Sequence, residues 1–122
     1  MPVKIVIVTR FNVPLGGNQP VRADAHTDPQ AWLERRFELF ERICLPSMMG
    51  QTDPDFTWFV FFGEQTPATY RSRITALHER FPTFTPHYLA DGHKVYKDFQ
   101  VEVASLLTPD DTHVITSRID ND

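Results

Sequence analysis

The chain has little that would support a disulfide-stabilised, strongly basic or membrane-spanning protein. It has 122 residues and a single cysteine, so no internal disulfide can form. Twelve basic and sixteen acidic residues give a net charge of -4 without a basic cluster, which argues against general nucleic-acid or anionic-membrane binding. No apolar run has the length of a membrane span, and no signal-peptide pattern is present. We expect one cytoplasmic domain.

Several common site motifs are also missing. The sequence has no Gly-x-x-x-x-Gly-Lys phosphate loop, no Gly-x-Gly-x-x-Gly and no Gly-x-Ser-x-Gly, which disfavours P-loop NTPases, dinucleotide oxidoreductases and hydrolases with a nucleophile elbow. The five histidines are not paired at zinc-ligand spacings. Cys44 lies in an apolar helical pattern, so we expect a buried thiol without a reactive role.

The chain does contain alternating strand-like and helix-like segments. β-branched and aromatic runs at residues 3–9, 56–62 and 113–119 predict strands, the first of them buried on both faces, and residues 87–89 predict a short fourth strand. Such an alternation predicts an α/β, Rossmann-like domain of three layers, with a mostly parallel sheet of about four strands and three helices.

Three segments have the apolar spacing of helices that pack on a sheet. The first covers residues 28–45 and is expected to end because Pro46 follows it. The second covers residues 66–81, and the third covers residues 95–107. In the common doubly wound order, the first strand and the strand at residues 113–119 are neighbours where the winding reverses, and ligands bind outside their carboxyl ends.

The acidic segment at the end of the chain is the first candidate site. Asp120 and Asp122 follow a predicted strand, and their hard oxygen ligands suit Mg²⁺ or Mn²⁺, which would bridge to a pyrophosphate. A solvated turn is the other interpretation, since Asp and Asn favour turns. Arg118 precedes the pair and would contact a phosphate, or else form an ion pair with Asp120.

The same edge of the sheet should present residues that follow the first and second strands. Arg10 begins a long stretch, residues 10–28, which is either a functional loop or a mobile surface excursion. A nucleotide base would stack on Phe11 and hydrogen-bond to Asn12, although core packing is the alternative for Phe11. Gly63 would let the backbone approach a ligand, and Glu64 would lie beside it.

Five short segments resemble a known family. They are Thr9-Arg10-Phe11-Asn12, the stretch from Trp32 through Phe40 that leads into Leu45-Pro46-Ser47, Gln51-Thr52-Asp53, Phe56-Thr57-Trp58 and the closing Ser117-Arg118-Ile119-Asp120-Asn121-Asp122. Together they resemble the putative rhamnosyltransferase family, which is similar to other GT-A glycosyltransferases. The likeness spans nearly the whole chain, and the closing segment is its most specific part.

The resemblance implies a nucleoside-diphosphate-sugar donor, a divalent Mn²⁺ or Mg²⁺ held by the Asp-x-Asp motif, and sugar transfer to an acceptor hydroxyl. By that analogy Asp122 is the direct metal ligand, Asp120 faces the donor ribose or sugar, and Arg118 lies near the diphosphate. A GT-A domain continues beyond this motif. We therefore expect residues 1–122 to be the donor-binding half, truncated after the motif and weakly active or inactive alone.

Two other functions fit the same residues. The first is a non-catalytic binding module that kept the fold and associates with itself through an uncovered sheet edge as a homo-oligomer. The second is a different α/β nucleotide-binding protein, in which residues 120–122 form only a turn.

Overall fold

The computed structural model describes residues 3–13, 29–90 and 94–120. Most of the long stretch after the first strand, the predicted turn at residues 91–92 and the last two residues of the acidic motif lie outside these ranges. The described ranges include all four predicted strands and the three predicted helical regions, the first of them from Pro29 onward.

Four parallel strands form one sheet, as the alternating pattern predicts. In chain order they are β1 (Val3–Arg10), β2 (Thr57–Gly63), β3 (Phe84–Leu89) and β4 (His113–Arg118). Their order across the sheet is β3-β2-β1-β4, and every neighbouring pair is parallel. The winding of the chain thus reverses between β1 and β4, which confirms the predicted α/β, Rossmann-like topology and the predicted pairing of these two strands.

Strand β3 is longer than the sequence predicts. It begins at Phe84, three residues before the predicted start, and it includes Pro86. A proline lacks the N–H group that a central strand needs, but β3 is the outer neighbour of β2 and can hold it. Phe84 is fully buried against the sheet's aromatic core, so side-chain packing extends the strand through a segment that propensity alone disfavours.

The first helical region continues through the proline that was expected to end it. Helix α1 (Pro29–Leu39) leads into a π-helical segment (Phe40–Cys44) and then into α2 (Leu45–Met49). The prediction that Pro46 stops the helix is therefore wrong.

The π-helical turn accounts for this proline. The Leu45 N–H donates to the carbonyl oxygen of Phe40, five residues back, so the helix is widened directly before Pro46. Pro46 stands in the first turn of α2, where a missing N–H is tolerated. The Ser47 hydroxyl donates to the Cys44 carbonyl oxygen at 2.7 Å, which pairs one of the carbonyl groups beside the proline.

The helices cover the two faces of the sheet unequally. Helix α3 (Ala68–Arg80) and helix α4 (Val95–Leu106) lie within the predicted helices. The first core packs α1, the π-helical segment, α2 and α3 on the sheet, with the aromatic members Phe11, Phe37, Phe40, Trp58, Phe62, Tyr70 and Phe84. The second core packs α4 on the opposite face, with Val6, Val8, Phe59, Phe61, Val95, Phe99 and Val103 among its members.

Burial falls steeply from β2 toward β4. Every residue of β2 after Thr57 is buried, whereas all six residues of β4 are exposed. Ile5 and Ile7 of β1 are only half-buried and line an open cavity of about 260 Å³ beside Met48. The prediction that the first strand is buried on both faces therefore holds only in part. On the face opposite α4, Thr9 is buried, but Ile5 and Ile7 remain half-buried.

An ion-pair cluster joins α1 to α3 at the surface of the first core. The Arg73 guanidinium lies 2.9 Å from a Glu34 oxygen and 3.2 Å from a Glu41 oxygen. The Tyr70 hydroxyl donates to Glu34 at 2.8 Å. This hydrogen bond, followed by the contact with Arg73, lowers the pKa of the Glu34 carboxyl, while burial raises the pKa of Tyr70.

Candidate functional site

The carboxyl ends of β1 and β4 bring three of the predicted site residues to one edge of the sheet. The two strands pair in register from Val3 with His113 to Val8 with Arg118. Continuing that register by two residues sets Arg10 beside Asp120. Because side chains alternate along a strand, Arg10, Arg118 and Asp120 share the sheet face that α4 covers.

Arg10 is half-buried at the end of β1, and its Nη1 atom is fully buried. Among the described residues this nitrogen has no hydrogen-bond partner. A buried guanidinium N–H without a partner is costly, and phosphate or carboxylate oxygens are the acceptors that suit it. Of the residues at this edge, Arg10 is therefore the one best suited to bind an anionic ligand.

Arg118 is exposed and is held by Tyr96, which is not among the site residues predicted from the sequence. Its Nη1 donates to the Tyr96 hydroxyl at 2.8 Å, and its guanidinium carbon lies 5.9 Å from the centre of the Tyr96 ring. The hydrogen bond to Tyr96 raises the pKa of Arg118, and the nearby charge of Asp120 acts in the same direction. Arg118 thus keeps its positive charge and a fixed orientation.

Tyr96 is 46% exposed in the first turn of α4. Because α4 follows β3 in a parallel sheet, that first turn lies at the same edge as the carboxyl ends of the strands. This position was readable from the alternation of strands and helices, since an aromatic residue at the start of such a helix faces the predicted ligand edge. The sequence pattern predicts Tyr96 only as part of the helix at residues 95–107.

Asp120 is exposed directly after β4, and its neighbour Ile119 is anchored to β1. The Ile119 N–H donates to the carbonyl oxygen of Val8 at 3.0 Å, and the Thr9 hydroxyl donates to the Ile119 carbonyl oxygen at 2.7 Å. Asp122, the other predicted metal ligand, lies outside the described residues. Within residues 3–13, 29–90 and 94–120, no group of three His, Cys, Asp or Glu side chains has the proximity of a metal site.

Asn12 connects two loops through both ends of its carboxamide. Its Oδ1 accepts the Gly63 N–H at 2.8 Å, and its Nδ2 donates to the Thr66 hydroxyl at 3.1 Å. The Thr66 hydroxyl in turn donates to the Gly63 carbonyl oxygen at 2.6 Å. These contacts join the end of β1 to the β2–α3 loop, so the structure gives Asn12 and buried Gly63 a role in shaping the edge of the sheet.

The ring of Phe11 lies in the first core, as the core-packing alternative predicts. It is 5% exposed, and its centroid lies 4.7 Å from that of Phe37 and 4.9 Å from that of Phe62. A nucleotide base therefore has no open face of this ring to stack on. Tyr96 is the exposed aromatic ring at the edge instead.

Glu64 is exposed at the start of the β2–α3 loop, and its backbone is held on both sides. Its N–H donates to the Leu89 carbonyl oxygen at 2.9 Å, and its carbonyl oxygen accepts from Arg71. The Arg71 guanidinium also lies 4.0 Å from the centre of the Tyr88 ring. The loop is thus well supported, and the Glu64 carboxylate is available at its surface.

Cys44 has the surroundings that the sequence predicts. It is 8% exposed, and burial raises the pKa of its thiol to about 11. At neutral pH the thiol is therefore protonated and poorly nucleophilic.

None of the helices in the described ranges combines the length and the apolar character that a bilayer crossing requires. The cytoplasmic location expected from the sequence stays a prediction.

The comparison with known families covers nearly the entire chain. Residues 4–122 match the model of the family described as "Putative rhamnosyl transferase". No curated protein and no solved structure matches the chain. The family match includes the first strand, the sheet edge described above and the closing acidic segment. The chain belongs to the putative rhamnosyl transferase family.

Proposed function

We propose that this chain forms the nucleotide-sugar donor site of a metal-dependent glycosyltransferase of the GT-A type. Membership of a rhamnosyl transferase family supports sugar transfer as the reaction class. The observation that carries the proposal is the shared position of Arg10, Arg118 and Asp120 at the carboxyl edge of β1 and β4, where the winding reverses. The donor is a nucleoside-diphosphate sugar, and the acceptor is a hydroxyl group.

The two arginines suit the donor diphosphate. Arg10 has a buried Nη1 without a partner among the described residues, and Arg118 is oriented by its hydrogen bond to Tyr96. Guanidinium groups bind phosphate oxygens with two parallel hydrogen bonds and hold their charge at any physiological pH. In this proposal the arginines fix the diphosphate and stabilise the negative charge that grows on it as the sugar leaves.

Asp120 and Asp122 would hold the divalent cation. Carboxylate oxygens are hard ligands that Mg²⁺ and Mn²⁺ accept, and such cations commonly complete their coordination with phosphate oxygens and water. The exposed Asp120 carboxylate can supply such a ligand oxygen, and the two nearby arginines suit the phosphate groups that would share the cation. When bound, the cation neutralises charge on the departing diphosphate.

Tyr96 is the proposed stacking surface for the base or the sugar. Its ring is 46% exposed, and its hydroxyl is already fixed by Arg118. An aromatic ring with a bound polar tip offers an apolar face at a hydrated edge. Glu64 lies at the same edge and would accept hydrogen bonds from sugar or ribose hydroxyls.

Calorimetric titration with UDP, dTDP and GDP, each with and without Mn²⁺, tests donor binding. We expect Mn²⁺-dependent heat with at least one nucleotide. Asp120→Asn should weaken that binding by at least about tenfold, the loss typical of disturbed metal coordination. Asp110→Asn, which makes the same charge change at the amino end of β4, should bind like the wild type.

Absence of Mn²⁺-dependent heat with all three nucleotides at millimolar concentration would contradict donor binding by this chain. Unchanged nucleotide affinity in Asp120→Asn would instead favour an α/β nucleotide-binding protein in which the acidic segment is a turn.

A second candidate function rests on a different observation, the exposure of β4. Its residues Val114 and Ile115 are 39% and 53% exposed on a strand that pairs on one side with β1. Such an edge supports strand pairing with another copy of the chain and a non-catalytic assembly role. Multi-angle light scattering of Ile115→Lys, with the exposed Ile43→Lys as its control, tests this. A wild-type monomer at high concentration excludes the assembly role.

A further inference from the structure

Thr9 is a fully buried polar residue in a strand that is otherwise apolar up to Arg10, apart from Lys4. Its hydroxyl takes part in two hydrogen bonds. The Trp58 indole Nε1–H donates to the Thr9 Oγ1 at 2.9 Å, and the same hydroxyl donates to the Ile119 carbonyl oxygen at 2.7 Å. Trp58 is also fully buried, so the Trp58–Thr9 hydrogen bond lies in the interior, and the Thr9–Ile119 hydrogen bond leads from it to the half-buried Ile119.

The direction of this series of hydrogen bonds follows from which groups can donate a proton. An indole N–H can only donate, and a hydroxyl has one proton to give. The Trp58 contact therefore occupies an acceptor position of the Thr9 oxygen and leaves its proton for the Ile119 carbonyl. Hydrogen bonds in series strengthen one another in a low-dielectric interior.

The end of the chain of hydrogen bonds is the peptide group that joins Ile119 to Asp120. Regular pairing of β4 with β1 reaches Arg118, and beyond it the Ile119 N–H is bound to the Val8 carbonyl oxygen at 3.0 Å. The Thr9 hydroxyl binds the other polar group of Ile119. Both backbone groups of this residue are thus fixed by β1, although β4 itself is exposed along its whole length.

We propose that Thr9, oriented by Trp58, is a positioning residue that fixes the Ile119–Asp120 peptide and thereby sets the affinity of Asp120 for a cation–nucleotide complex. This inference rests on the proposed function. Apolar residues at both positions 9 and 58 would fill this part of the core without burying a hydroxyl and an indole N–H, so packing alone gives little reason for the hydrogen-bonded pair. Metal sites lose affinity when a group that orients a ligand is removed.

The test compares Thr9→Val, which removes the hydroxyl at nearly constant shape, with Thr9→Ser, which keeps it. We expect Thr9→Val to weaken Mn²⁺-dependent nucleotide binding by about tenfold, the loss seen when a group behind a metal ligand is removed. Thr9→Ser should keep the wild-type affinity to within about twofold, since it keeps the hydroxyl group and both of its hydrogen bonds. Ile74→Val, a fully buried change in α3, controls for general loss of stability.

Amide hydrogen exchange measured by NMR provides a readout that does not depend on a ligand. In Thr9→Val the amide of Ile119, which donates to the Val8 carbonyl oxygen, should exchange faster, while that of Ile115 in β4 should exchange at the wild-type rate. If Thr9→Val fails to fold, the double variant Thr9→Val with Trp58→Phe leaves no indole N–H unpaired and should show the same exchange.

The outcomes separate this inference from the proposed function. Wild-type protein without Mn²⁺-dependent binding refutes the proposed function and its consequence for affinity, while the exchange rates still decide whether Thr9 anchors the peptide. Wild-type affinity in Thr9→Val, failure of Thr9→Ser to restore affinity, or an equal loss in Ile74→Val each overturns the positioning role. Unchanged exchange at Ile119 overturns it as well.

Discussion

Strands β2 and β4 lie on either side of β1 and differ in almost every physical respect. Strand β2 has a parallel neighbour on each side and helices on both faces, and all its residues after Thr57 are buried. Strand β4 pairs with β1, and all six of its residues are exposed. The residues that hold the sheet together are thus concentrated around β2, whereas Arg118 and Asp120, the polar residues proposed to bind the donor, belong to the less supported strand and its end.

This division separates stability from ligand binding. The aromatic residues Phe40, Trp58 and Phe84 have ring centroids within 5.5–5.7 Å of one another and are fully buried. Burial of such side chains provides most of the free energy of folding. At the end of β4, in contrast, hydrogen bonds from β1 hold both backbone polar groups of Ile119, and its side chain is only partly buried against the first core. Substitutions in the two regions should therefore affect different measurements.

The largest difference is expected between Phe40→Ala and Ile115→Ala. Phe40 is fully buried, so its truncation should lower the free energy of unfolding by about 3–5 kcal/mol. Ile115 is 53% exposed on β4, and its truncation should change that free energy by less than about 0.5 kcal/mol. Urea denaturation measures both. A loss of similar size in the two variants would show that β4 is covered in solution and supports the fold as much as the aromatic core does.

An intermediate effect is expected at Asn12, where the supported half of the sheet reaches the proposed site. Asn12→Ala leaves the Gly63 N–H without its acceptor, and we expect the free energy of unfolding to fall by about 1–3 kcal/mol. Asn12→Asp keeps an acceptor for this N–H but loses the donor to Thr66, so its loss should be smaller. Denaturation of both variants tests this order.

Nucleotide titration of the same two variants asks whether Asn12 also binds ligand. If Asn12 acts through loop structure alone, the nucleotide affinity of the folded variants should stay near the wild-type value. A large loss of affinity in Asn12→Asp without loss of stability would assign the carboxamide to the ligand, as the sequence first suggested.

The sequence predicted the order of elements and the shared sheet edge of three candidate site residues, because both follow from local patterns. Alternating strand and helix patterns determine a parallel sheet, and the pairing of β1 with β4 then sets Arg10, Arg118 and Asp120 at one edge. The continuation of the first helix through Pro46 was not predictable in this way, since it depends on a π-helical turn at residues 40–44. That turn adapts the backbone to tertiary packing.

The roles of single side chains were harder to predict than their positions. Phe11 and Asn12 lie at the predicted edge, but the ring packs in the core and the carboxamide joins two loops. Thr9 looked like one more β-branched strand residue, because its partners Trp58 and Ile119 are 49 and 110 residues away in sequence. Contacts over such separations leave no periodic signal, and they decide whether a polar residue serves the fold or the ligand.

The smallest predicted effect is in the ion-pair cluster between α1 and α3, on the supported side of the molecule. The pKa of Glu34 is lowered by its hydrogen bond from Tyr70 and then by Arg73. A carboxyl with a lowered folded-state pKa stabilises the fold above its ordinary value, 4.5 here, and loses that contribution as the pH falls through the lowered pKa. Glu34→Gln should thus be slightly less stable than the wild type at pH 7, and the two should converge in acid.

Glu38→Gln, an exposed change on the same helix, is the matched control and should have the stability of the wild type at pH 7. Urea denaturation across the acid range measures all three proteins. Because Glu34 is partly exposed, added salt should reduce its effect, whereas the loss caused by Phe40→Ala should persist in salt. If Glu34→Gln instead matched Phe40→Ala in size, surface charge rather than the aromatic core would hold α1 and α3 on the sheet, and the contrast between β2 and β4 would need a different physical cause.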